Sequence, residues 1–344
     1  MFSSPPGVRQ RGASILGMLV AVLLLAALGA GAYAWAWLHR PLALAKPSVE
    51  VSIEPGTPVR EIVRLWVDAG VQAPPELLYQ WFRWSGQSRK IRAGSYEVEA
   101  GATPLSLLET MVRGDETLET VRFTEGWTVA QMRAALAAAP SLKPATAGLS
   151  DADLMAAVGE PGVAAEGQFF PDTYAYSRHV SDVTVLKRAH AAMKRQLAAA
   201  WAQRAPDTPL KSEADALTLA SVVEKETGNP GDRGKVAAVF ANRLRVGMPL
   251  QSDPTVIYGL GPRFDGNLRK ADLQADTPFN TYTRAGLPPT PISLPGRDAL
   301  RAAVHPDVSK ALYFVSRGDG TSVFSESLEA HNRAVNQYQR GQKP

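Results

Sequence analysis

Two glutamates near the end of one predicted helix have the clearest potential for chemistry. The segment from Glu213 to Thr227 predicts a helix, and continuing its apolar stripe by three or four residues reaches Glu226. Glu224 lies about 200° away around the helix, so only one of the two can point into a cleft, and the period favours Glu226. A carboxyl at the margin of an apolar face has a raised pKa, which suits a general acid. The alternative is a surface glutamate held in an ion pair near Lys225 or Arg233.

Two proline-bounded segments carry polar side chains that suit a sugar substrate. The first, from Pro249 to Thr255, predicts a turn rather than a strand and holds Gln251 and Asp253. The second, from Asn280 to Gly296, is rich in tyrosine, asparagine and threonine and includes Tyr282. Rigid loops with aromatic and amide groups suit sugar recognition, although they equally suit the packing of a loop-rich fold.

Several familiar catalytic motifs do not occur in the sequence. The segment from Gly228 to Lys235 has one residue too many for a phosphate-binding loop, and Val236 stands where a magnesium-binding serine or threonine is needed. The five histidines show no HExxH spacing, and without cysteine a zinc site would need a scattered constellation. Ser221 and Lys225 are four residues apart, unlike the Ser-x-x-Lys pair, and there is no G-x-S-x-G elbow. Nothing in the sequence therefore predicts a nucleotide site, a metal site or a serine nucleophile.

Two further helices must position the glutamate-bearing helix. A long amphipathic helix is expected from about Asp182 to Ala202. After a strong stop at Gly228, a helix from Asp232 to Gly247 has apolar residues at i, i+4 spacing and offers Asn242 and Arg243 on its opposite flank. These helices and the two polar loops are the elements from which a site would be built.

The distribution of charge excludes a nucleic-acid partner. The 344-residue chain has 37 Lys and Arg residues against 33 Asp and Glu residues, and its pI is about 9.2. Four of the basic residues lie in residues 1–46, which contain no acid, so the rest of the chain is formally neutral. A DNA- or RNA-binding protein would carry a basic face, which this sequence lacks.

An uncharged apolar run near the N-terminus predicts an uncleaved membrane span. From Ala13 to Leu38 no charged residue occurs. A helix of that length rises roughly 39 Å, enough to cross a hydrocarbon core of about 30 Å. The alternatives are a core helix, which should show a polar face, and a cleaved signal peptide, which should have a shorter apolar run. Two basic residues precede the run and two follow it, so charge alone leaves the orientation open.

A strand, two helices and a second strand are predicted in residues 47–118. The first strand is Val49 to Ile53, followed by a helix from Pro58 to near Gly70. A second helix opens at Pro75, and the second strand is Ser95 to Glu99. This order resembles a LysM-like module, a fold that binds N-acetylglucosamine-containing glycans. The alternative is ordinary turn chemistry without a ligand.

Six strings along the chain carry a resemblance to one family. Over essentially its whole length the sequence resembles the endolytic murein transglycosylases, the MltG or YceG-like family. The strings are EGQFFPDTY (Glu166 to Tyr174), ASVVEKETG (Ala220 to Gly228), VFANRLRVGMPLQSDPTVIYG (Val239 to Gly259), NTYTRAGLPPTPISLPG (Asn280 to Gly296), AAVHP (Ala302 to Pro306) and YFVSRGDGTSVFSESLEAHNRAV (Tyr313 to Val335).

The resemblance implies a single-pass inner-membrane protein with a cytoplasmic N-terminus and a periplasmic catalytic domain. It implies cleavage of the β-1,4 bond between N-acetylmuramic acid and N-acetylglucosamine within nascent glycan strands. The products would be 1,6-anhydro-muramoyl ends, so that strand elongation is terminated or trimmed. The implied partners are peptidoglycan glycan strands, the inner membrane and peptidoglycan synthases, with no nucleic acid, no metal and no organic cofactor.

By the match of the EKET string, the resemblance also implies that Glu226 is the essential catalytic glutamate. We expect it to protonate the glycosidic oxygen and then to accept the proton of the muramic acid C6 hydroxyl. Glu224 and Glu125 are further candidates for a carboxyl role, each more suited to structure or substrate contact. The residues expected to contact substrate, some of them by stabilising an oxocarbenium-like centre, are Asp253, Asn280, Tyr282, Gln251 and Glu166.

We therefore predict an α+β protein with four parts. They are a cytoplasmic tail (1–12), a transmembrane helix (13–38), a small LysM-like βααβ module (47–118) and a larger mixed α+β transglycosylase catalytic domain (119–340). Two other functions stay open at this point. One is a water-using muramidase, which would leave a reducing product end, and the other is a wall-binding scaffold that localises synthases without turnover.

Overall fold

A computed structural model of the chain describes residues 10–340. The fold is mixed α+β, as the sequence predicts, and each sheet in the described residues has two strands. The chain divides into two compact units. The N-terminal unit is residues 10–118 together with Ser177–His179, and the C-terminal unit is Glu119–Tyr176 together with residues 180–340. That these units are a LysM-like module and a catalytic domain stays a prediction.

The first helix, α1 (Gln10–His39), is apolar enough to cross a membrane. Its segment Gly17–His39 has a mean hydropathy of 2.1 and is unburied. A helix of 30 residues rises about 45 Å, more than a hydrocarbon core of about 30 Å requires. The predicted span 13–38 lies within α1. Of the predicted tail 1–12, residues 1–9 lie outside the described residues, and residues 10–12 already belong to the helix.

Short strands and three helices build the rest of the N-terminal unit. In chain order they are β1 (Ala43–Leu44), β2 (Ser48–Ile53), α2 (Val59–Ala69), β3 (Val71–Gln72), α3 (Pro75–Trp84), β4 (Gly94–Glu99) and α4 (Pro104–Arg113). β2 pairs antiparallel with β4, and β1 pairs antiparallel with β3. Alternate residues of β2 face the core, so Val49, Val51 and Ile53 are buried. The predicted strand–helix–helix–strand order is confirmed, whereas its identity as a LysM-like module stays a prediction.

The C-terminal unit is mainly helical. Its elements are β5 (Leu118–Arg122), α5 (Val129–Ala138), α6 (Asp151–Val158), β6 (Thr173–Ser177), α7 (Asp182–Ala202), α8 (Glu213–Glu226), α9 (Pro230–Val246), α10 (Asp253–Leu260), α11 (Lys270–Gln274), α12 (Arg297–Val304), β7 (Tyr313–Ser316), β8 (Ser322–Ser325) and α13 (Leu328–Tyr338). β5 pairs with β6, while β7 and β8 form an antiparallel hairpin.

The centre of this unit is α8, which is buried on every side from Ala216 to Val223. It packs against α7, α9 and α12, so its small and branched side chains fill one continuous core. The Ser221 hydroxyl accepts from the backbone N–H of Ile292 at 2.9 Å, and the Ser293 hydroxyl donates to the Ser221 carbonyl at 3.0 Å. These bonds attach the proline-rich loop before α12 directly to the helix that carries Glu226.

The helix predictions hold closely, with one error. The helix expected from about Asp182 to Ala202 is α7, and the one expected from Glu213 to Thr227 is α8, with Thr227 as its extended C-terminal cap. The segment Pro249 to Thr255 contains no strand, as predicted, but the predicted turn is wrong from Asp253 onward, where α10 begins. Pro254 occupies the first turn of that helix, where a missing N–H costs no hydrogen bond.

Candidate active site

Glu226 is the last residue of α8, where the buried helix opens into a cavity of about 1010 Å³. The cavity also receives side chains from α9, from the loop before α10, from the loop around Tyr282, from the β7–β8 hairpin and from α13. Because the core ends at Val223, the next turn of α8 brings a carboxyl from the apolar interior to the cavity wall. The sequence-predicted stripe therefore does lead to a cleft.

The carboxyl of Glu226 is partly withdrawn from water, and within residues 10–340 one side chain donates a hydrogen bond to it. The Ser252 hydroxyl donates to Glu226 Oε2 at 2.7 Å. Burial raises the pKa of Glu226 from 4.5 to about 7; the Ser252 hydrogen bond lowers it, the charge of Asp253 raises it and the charge of Arg243 lowers it. Near neutral pH such a group exists in both protonation states. A residue that first donates a proton and then accepts one needs both states.

Ser252 is held in place by a buried cluster of hydroxyl groups. Its backbone N–H donates to Thr281 Oγ1 at 3.0 Å, and the Thr255 hydroxyl donates to the Ser252 carbonyl at 2.7 Å. The hydroxyls of Thr255 and Thr281 lie 2.9 Å apart, and all three residues are buried. The backbone N–H of Gln251 donates to the Thr281 carbonyl at 3.0 Å. The two polar loops predicted from the sequence thus form one rigid support beneath Glu226.

Arg243 of α9 supplies a buried positive charge beside the cavity. Its Nε donates to the Leu312 carbonyl at 2.7 Å, and one terminal nitrogen donates to the Leu250 carbonyl, also at 2.7 Å. The guanidinium lies 5.4 Å from the ring centre of Tyr313. Arg243 therefore joins the loop that precedes Ser252 to the strand β7, and its charge acts on Glu226.

Asp253 and Tyr282 form a pair on the cavity wall. The Tyr282 hydroxyl donates to Asp253 Oδ1. Burial, this hydrogen bond and the charges of Asp253 and Glu226 all raise the pKa of Tyr282, so its hydroxyl stays protonated. The pair holds one carboxylate oxygen of Asp253 and leaves that residue exposed to the cavity.

The β7–β8 hairpin and α13 form the opposite part of the cavity lining. Asn229 Nδ2 donates to the Gly320 carbonyl at 2.8 Å, and the backbone N–H of Ser322 donates to Asp232 Oδ2 at 2.7 Å. His331 of α13 stacks on Tyr313 with ring centres 5.3 Å apart. Burial, followed by the nearby Arg243 charge, lowers the pKa of His331, so its ring is neutral near neutral pH.

Four of the six predicted site residues come together at this cavity. They are Glu226, Gln251, Asp253 and Tyr282. Asn280 is fully buried instead, and its amide nitrogen donates to the backbone carbonyls of Asp272, Leu273 and Ala275. Asn280 Oδ1 accepts from the Tyr282 backbone N–H at 2.9 Å, so it shapes the loop without lining the cavity.

Glu166 lies away from this cavity. Its carboxylate accepts from the Val129 backbone N–H at 3.0 Å, at the start of α5, and from the Tyr258 hydroxyl at 3.1 Å. Burial raises the pKa of Glu166 to about 7, against the lowering effect of these bonds. It borders a separate cavity of about 750 Å³ that Glu226 does not line.

Glu224 is also partly buried, but its carboxylate accepts a hydrogen bond from a backbone N–H. Its Oε2 accepts from the Gly296 N–H at 2.8 Å, and Arg233 lies 3.8 Å from its other oxygen. Burial raises the pKa of Glu224, the Gly296 hydrogen bond lowers it and the charge of Glu125 raises it. Of the two glutamates, only Glu226 lines the larger cavity, which agrees with the helical period.

Comparison with known proteins decides the family. Residues 51–337, most of the chain, match the YceG-like family. The chain belongs to the YceG-like family. This YceG-like protein is 30% identical over 311 residues to a protein of Bacillus subtilis (strain 168) named endolytic murein transglycosylase, and the match covers 86% of each chain.

Two other comparisons agree with this assignment. A Streptococcus pneumoniae serotype 2 protein with the same name is 27% identical over 327 residues, which cover 85% of this chain and 59% of that one. A 2.6 Å crystal structure of a yceG-like protein from Listeria monocytogenes matches with a TM-score of 0.53 and 28% identity, covering 84% of this chain and 99% of that one. The family membership predicted from the six strings is confirmed.

Sequence reasoning did not select Ser252, Tyr313 or His331 of this YceG-like protein, and it noted Arg243 only as a helix flank. Ser252 follows Gln251 within a string that was already singled out, so its position was a usable signal. Arg243 and Tyr313 also lie within such strings, but nothing in the strings indicates what either side chain contacts. Their roles arise from contacts between residues about seventy positions apart, which no local period encodes.

Replacing Arg243 with glutamine is expected to lower the free energy of unfolding by about 3 kcal/mol. The change leaves buried carbonyls of two loops without a charged donor. Chemical denaturation at neutral pH measures the effect. Arg245→Gln on the same helix is the control, because Arg245 pairs with the exposed Asp207 and its loss should cost less than about 1 kcal/mol. Equal losses in both variants would contradict the role given to Arg243.

Proposed function

We propose that this protein is an endolytic lytic transglycosylase that cleaves peptidoglycan glycan strands. Its relatives from Bacillus subtilis and Streptococcus pneumoniae are named endolytic murein transglycosylases. The observation that carries the proposal is Glu226, the one carboxyl of raised pKa among the described residues that line a cavity of about 1010 Å³. That volume is at the upper end of the range of about 300–1,000 Å³ that is typical of ligand sites, and it can hold more than one sugar ring.

The reaction needs one group that exchanges a proton in each direction. Protonated Glu226 donates to the oxygen that joins muramic acid C1 to N-acetylglucosamine C4. As the C1–O bond breaks, the N-acetylglucosamine part leaves with a hydroxyl at C4 and positive charge develops at C1. The Glu226 carboxylate then accepts the proton of the muramic acid C6 hydroxyl while O6 attacks C1. The product is a 1,6-anhydro-muramoyl end, Glu226 is protonated again and no water is consumed.

The surroundings of Glu226 suit these two steps. The negative charge of Asp253 acts on Glu226 in the same cavity, and it can stabilise positive charge at C1. The Tyr282 hydroxyl fixes the orientation of Asp253, and the Ser252 hydroxyl fixes that of Glu226. Gln251 adds an exposed amide on the same wall for hydrogen bonds to sugar groups.

A water-using muramidase is the second candidate, and Asp253 is the observation that favours it. Hydrolysis requires a second carboxylate as nucleophile or base, and Asp253 shares the cavity with Glu226. Against this role, one oxygen of Asp253 already accepts from the Tyr282 hydroxyl. The two reactions differ in whether the new muramoyl end is anhydro or reducing.

The cellular arrangement belongs to the same proposal. We infer that α1 anchors the chain in the inner membrane, with a cytoplasmic N-terminus and the catalytic domain (119–340) in the periplasm. In this arrangement the module at 47–118 is LysM-like and the enzyme trims nascent strands beside peptidoglycan synthases. The apolar length of α1 supports the anchor.

Mass spectrometry of digested glycan strands tests the proposed reaction. The full chain in detergent is incubated with purified strands, and the new ends are compared with those made by a hydrolytic muramidase. We expect internal cleavage and anhydro ends, which are lighter than reducing ends by one water. Reducing ends would show a muramidase, and binding without any cleavage would show a scaffold; either result would contradict the proposal.

A further inference from the structure

An exposed tryptophan and three exposed cations form one surface on the N-terminal unit. Trp84, at the end of α3, is 79% exposed, which is unusual for an indole in a folded unit. Arg83 precedes it, and Arg89 and Lys90 follow in the next turn, all of them exposed. We call these four residues the Trp84 surface.

The cations of the Trp84 surface have no charge partners in the described part of the chain. None of Arg83, Arg89 and Lys90 forms an ion pair there, and no acid occurs between Glu76 and Glu97 in the sequence. By contrast, Arg60 of the same unit pairs with Glu76 at 3.2 Å, and Arg113 pairs with Glu109 at 3.1 Å. The surface therefore carries uncompensated positive charge around an apolar ring.

Hydrogen bonds attach this part of α3 to the place where the chain leaves α1. Three residues separate the end of α1 from β1, and the third, Leu42, donates its N–H to the Ala102 carbonyl at 2.7 Å. Two residues further, the Pro104 carbonyl accepts from Trp81 Nε1 at 3.1 Å. Trp84 follows Trp81 by three positions and so lies on nearly the same face of α3. The Trp84 surface is thus close to the exit of α1.

We propose that the Trp84 surface binds anionic phospholipid headgroups of the membrane that α1 crosses. Indole rings favour the bilayer–water interface, and each cation near an anionic surface strengthens binding about fivefold. Because only three residues separate α1 from β1, the part of the unit that follows α1 is held near the bilayer surface, within reach of lipid headgroups. The proposal rests on α1 crossing a membrane and is independent of the chemistry at Glu226.

A single fluorescent label can report this contact, because the chain contains no cysteine. The full chain carrying Gln87→Cys is labelled with an environment-sensitive dye and reconstituted into vesicles. We expect a blue-shifted emission in vesicles that contain phosphatidylglycerol, absent in pure phosphatidylcholine and reversed by high salt. Alkaline extraction of the same vesicles separately establishes that α1 is inserted.

Two triple variants show whether the surface itself is responsible. In Arg83→Gln with Arg89→Gln and Lys90→Gln, binding to anionic lipid should weaken by about a hundredfold, at about fivefold per cation. The control changes three exposed arginines elsewhere in the unit, Arg60, Arg64 and Arg113, to glutamine and should retain the shift. Circular dichroism confirms that both variants fold.

Two outcomes would overturn the proposal. One is the same emission in charged and uncharged vesicles. The other is a shift caused by purified glycan strands and not by lipid, which would make the Trp84 surface a glycan site. Glu226→Gln should keep the full lipid response, so failure of the membrane contact and failure of the proposed catalytic role are separate results.

Discussion

Replacing Glu226 with glutamine is expected to lower kcat/KM for purified glycan strands by about a thousandfold or more. Glutamine keeps the size of the side chain and can accept from Ser252, but it can neither donate a proton to the glycosidic oxygen nor accept one from the C6 hydroxyl. Loss of one general acid or base typically costs about 10²–10⁴ in rate, and here one group does both. The rate of appearance of anhydro ends measures the effect.

Glu224→Gln is the matched control for this prediction. Glu224 is on the same helix and partly buried, its pKa is also raised, and it accepts from the Gly296 N–H without lining the cavity. We expect its replacement to change kcat/KM by no more than a few-fold, since glutamine can still accept that bond. A variant pair in which Glu224→Gln is inactive and Glu226→Gln is active would contradict the assignment.

Glu226→Gln should also change how stability depends on pH. Burial raises the pKa of Glu226 from 4.5 to about 7, so the folded state binds the proton more tightly than the unfolded state. The stability from this group is therefore complete below pH 4.5 and is lost as the pH rises through about 7. At about pH 8 the glutamine variant should be more stable than the parent by up to about 3 kcal/mol, and at low pH the two should be equal.

Ser252→Ala and Asp253→Asn are expected to move the alkaline limb of the pH profile in opposite directions. Activity requires protonated Glu226, so kcat/KM should fall about tenfold per pH unit above about pH 7. Removing the Ser252 hydroxyl removes a hydrogen bond that lowers the pKa, so the limb should move to higher pH. Removing the Asp253 charge removes a contribution that raises the pKa, so the limb should move to lower pH. Each shift should be roughly half to one pH unit.

The control for the pH profile is Asp319→Asn at the tip of the β7–β8 hairpin. Asp319 lines the same cavity, but it is exposed and bonded to Thr321, and its charge is not among the causes of the Glu226 pKa. Its replacement should leave the limb where it is. Shifts of the same sign for Ser252→Ala and Asp253→Asn would mean that Glu226 does not set the alkaline limb.

The predictable part of the site is the part that follows from the spacing of residues within one helix or one loop. The stripe of α8 selects Glu226 over Glu224 because residues three or four apart share a face of a helix, and the structure has Glu226 on the cavity wall. Polar residues between prolines indicated where Gln251 and Asp253 lie. The error at α10 has the same origin, since a proline between polar residues suits both a turn and a helix start.

The part that was not predictable depends on contacts between distant residues. Ser252 reaches Glu226 across 26 positions, and Arg243 reaches Leu312 across 69. The amide of Asn280 has the right chemistry for a sugar, yet three backbone carbonyls occupy its nitrogen. Residue type therefore indicated which groups could bind a glycan, but only the tertiary structure determines which of them are free to do so.

The central claim is that one partly buried carboxyl, Glu226, titrates near neutral pH and carries out both proton transfers. Its most direct test is an NMR titration of the protein labelled with ¹³C at glutamate carboxyl carbons, with Glu226→Gln to identify the resonance. We predict a signal, missing in the variant, that titrates at a pKa of about 7. A Glu226 signal that titrates near the ordinary value of 4.5 would contradict the account, because the acid would then be ionised at neutral pH.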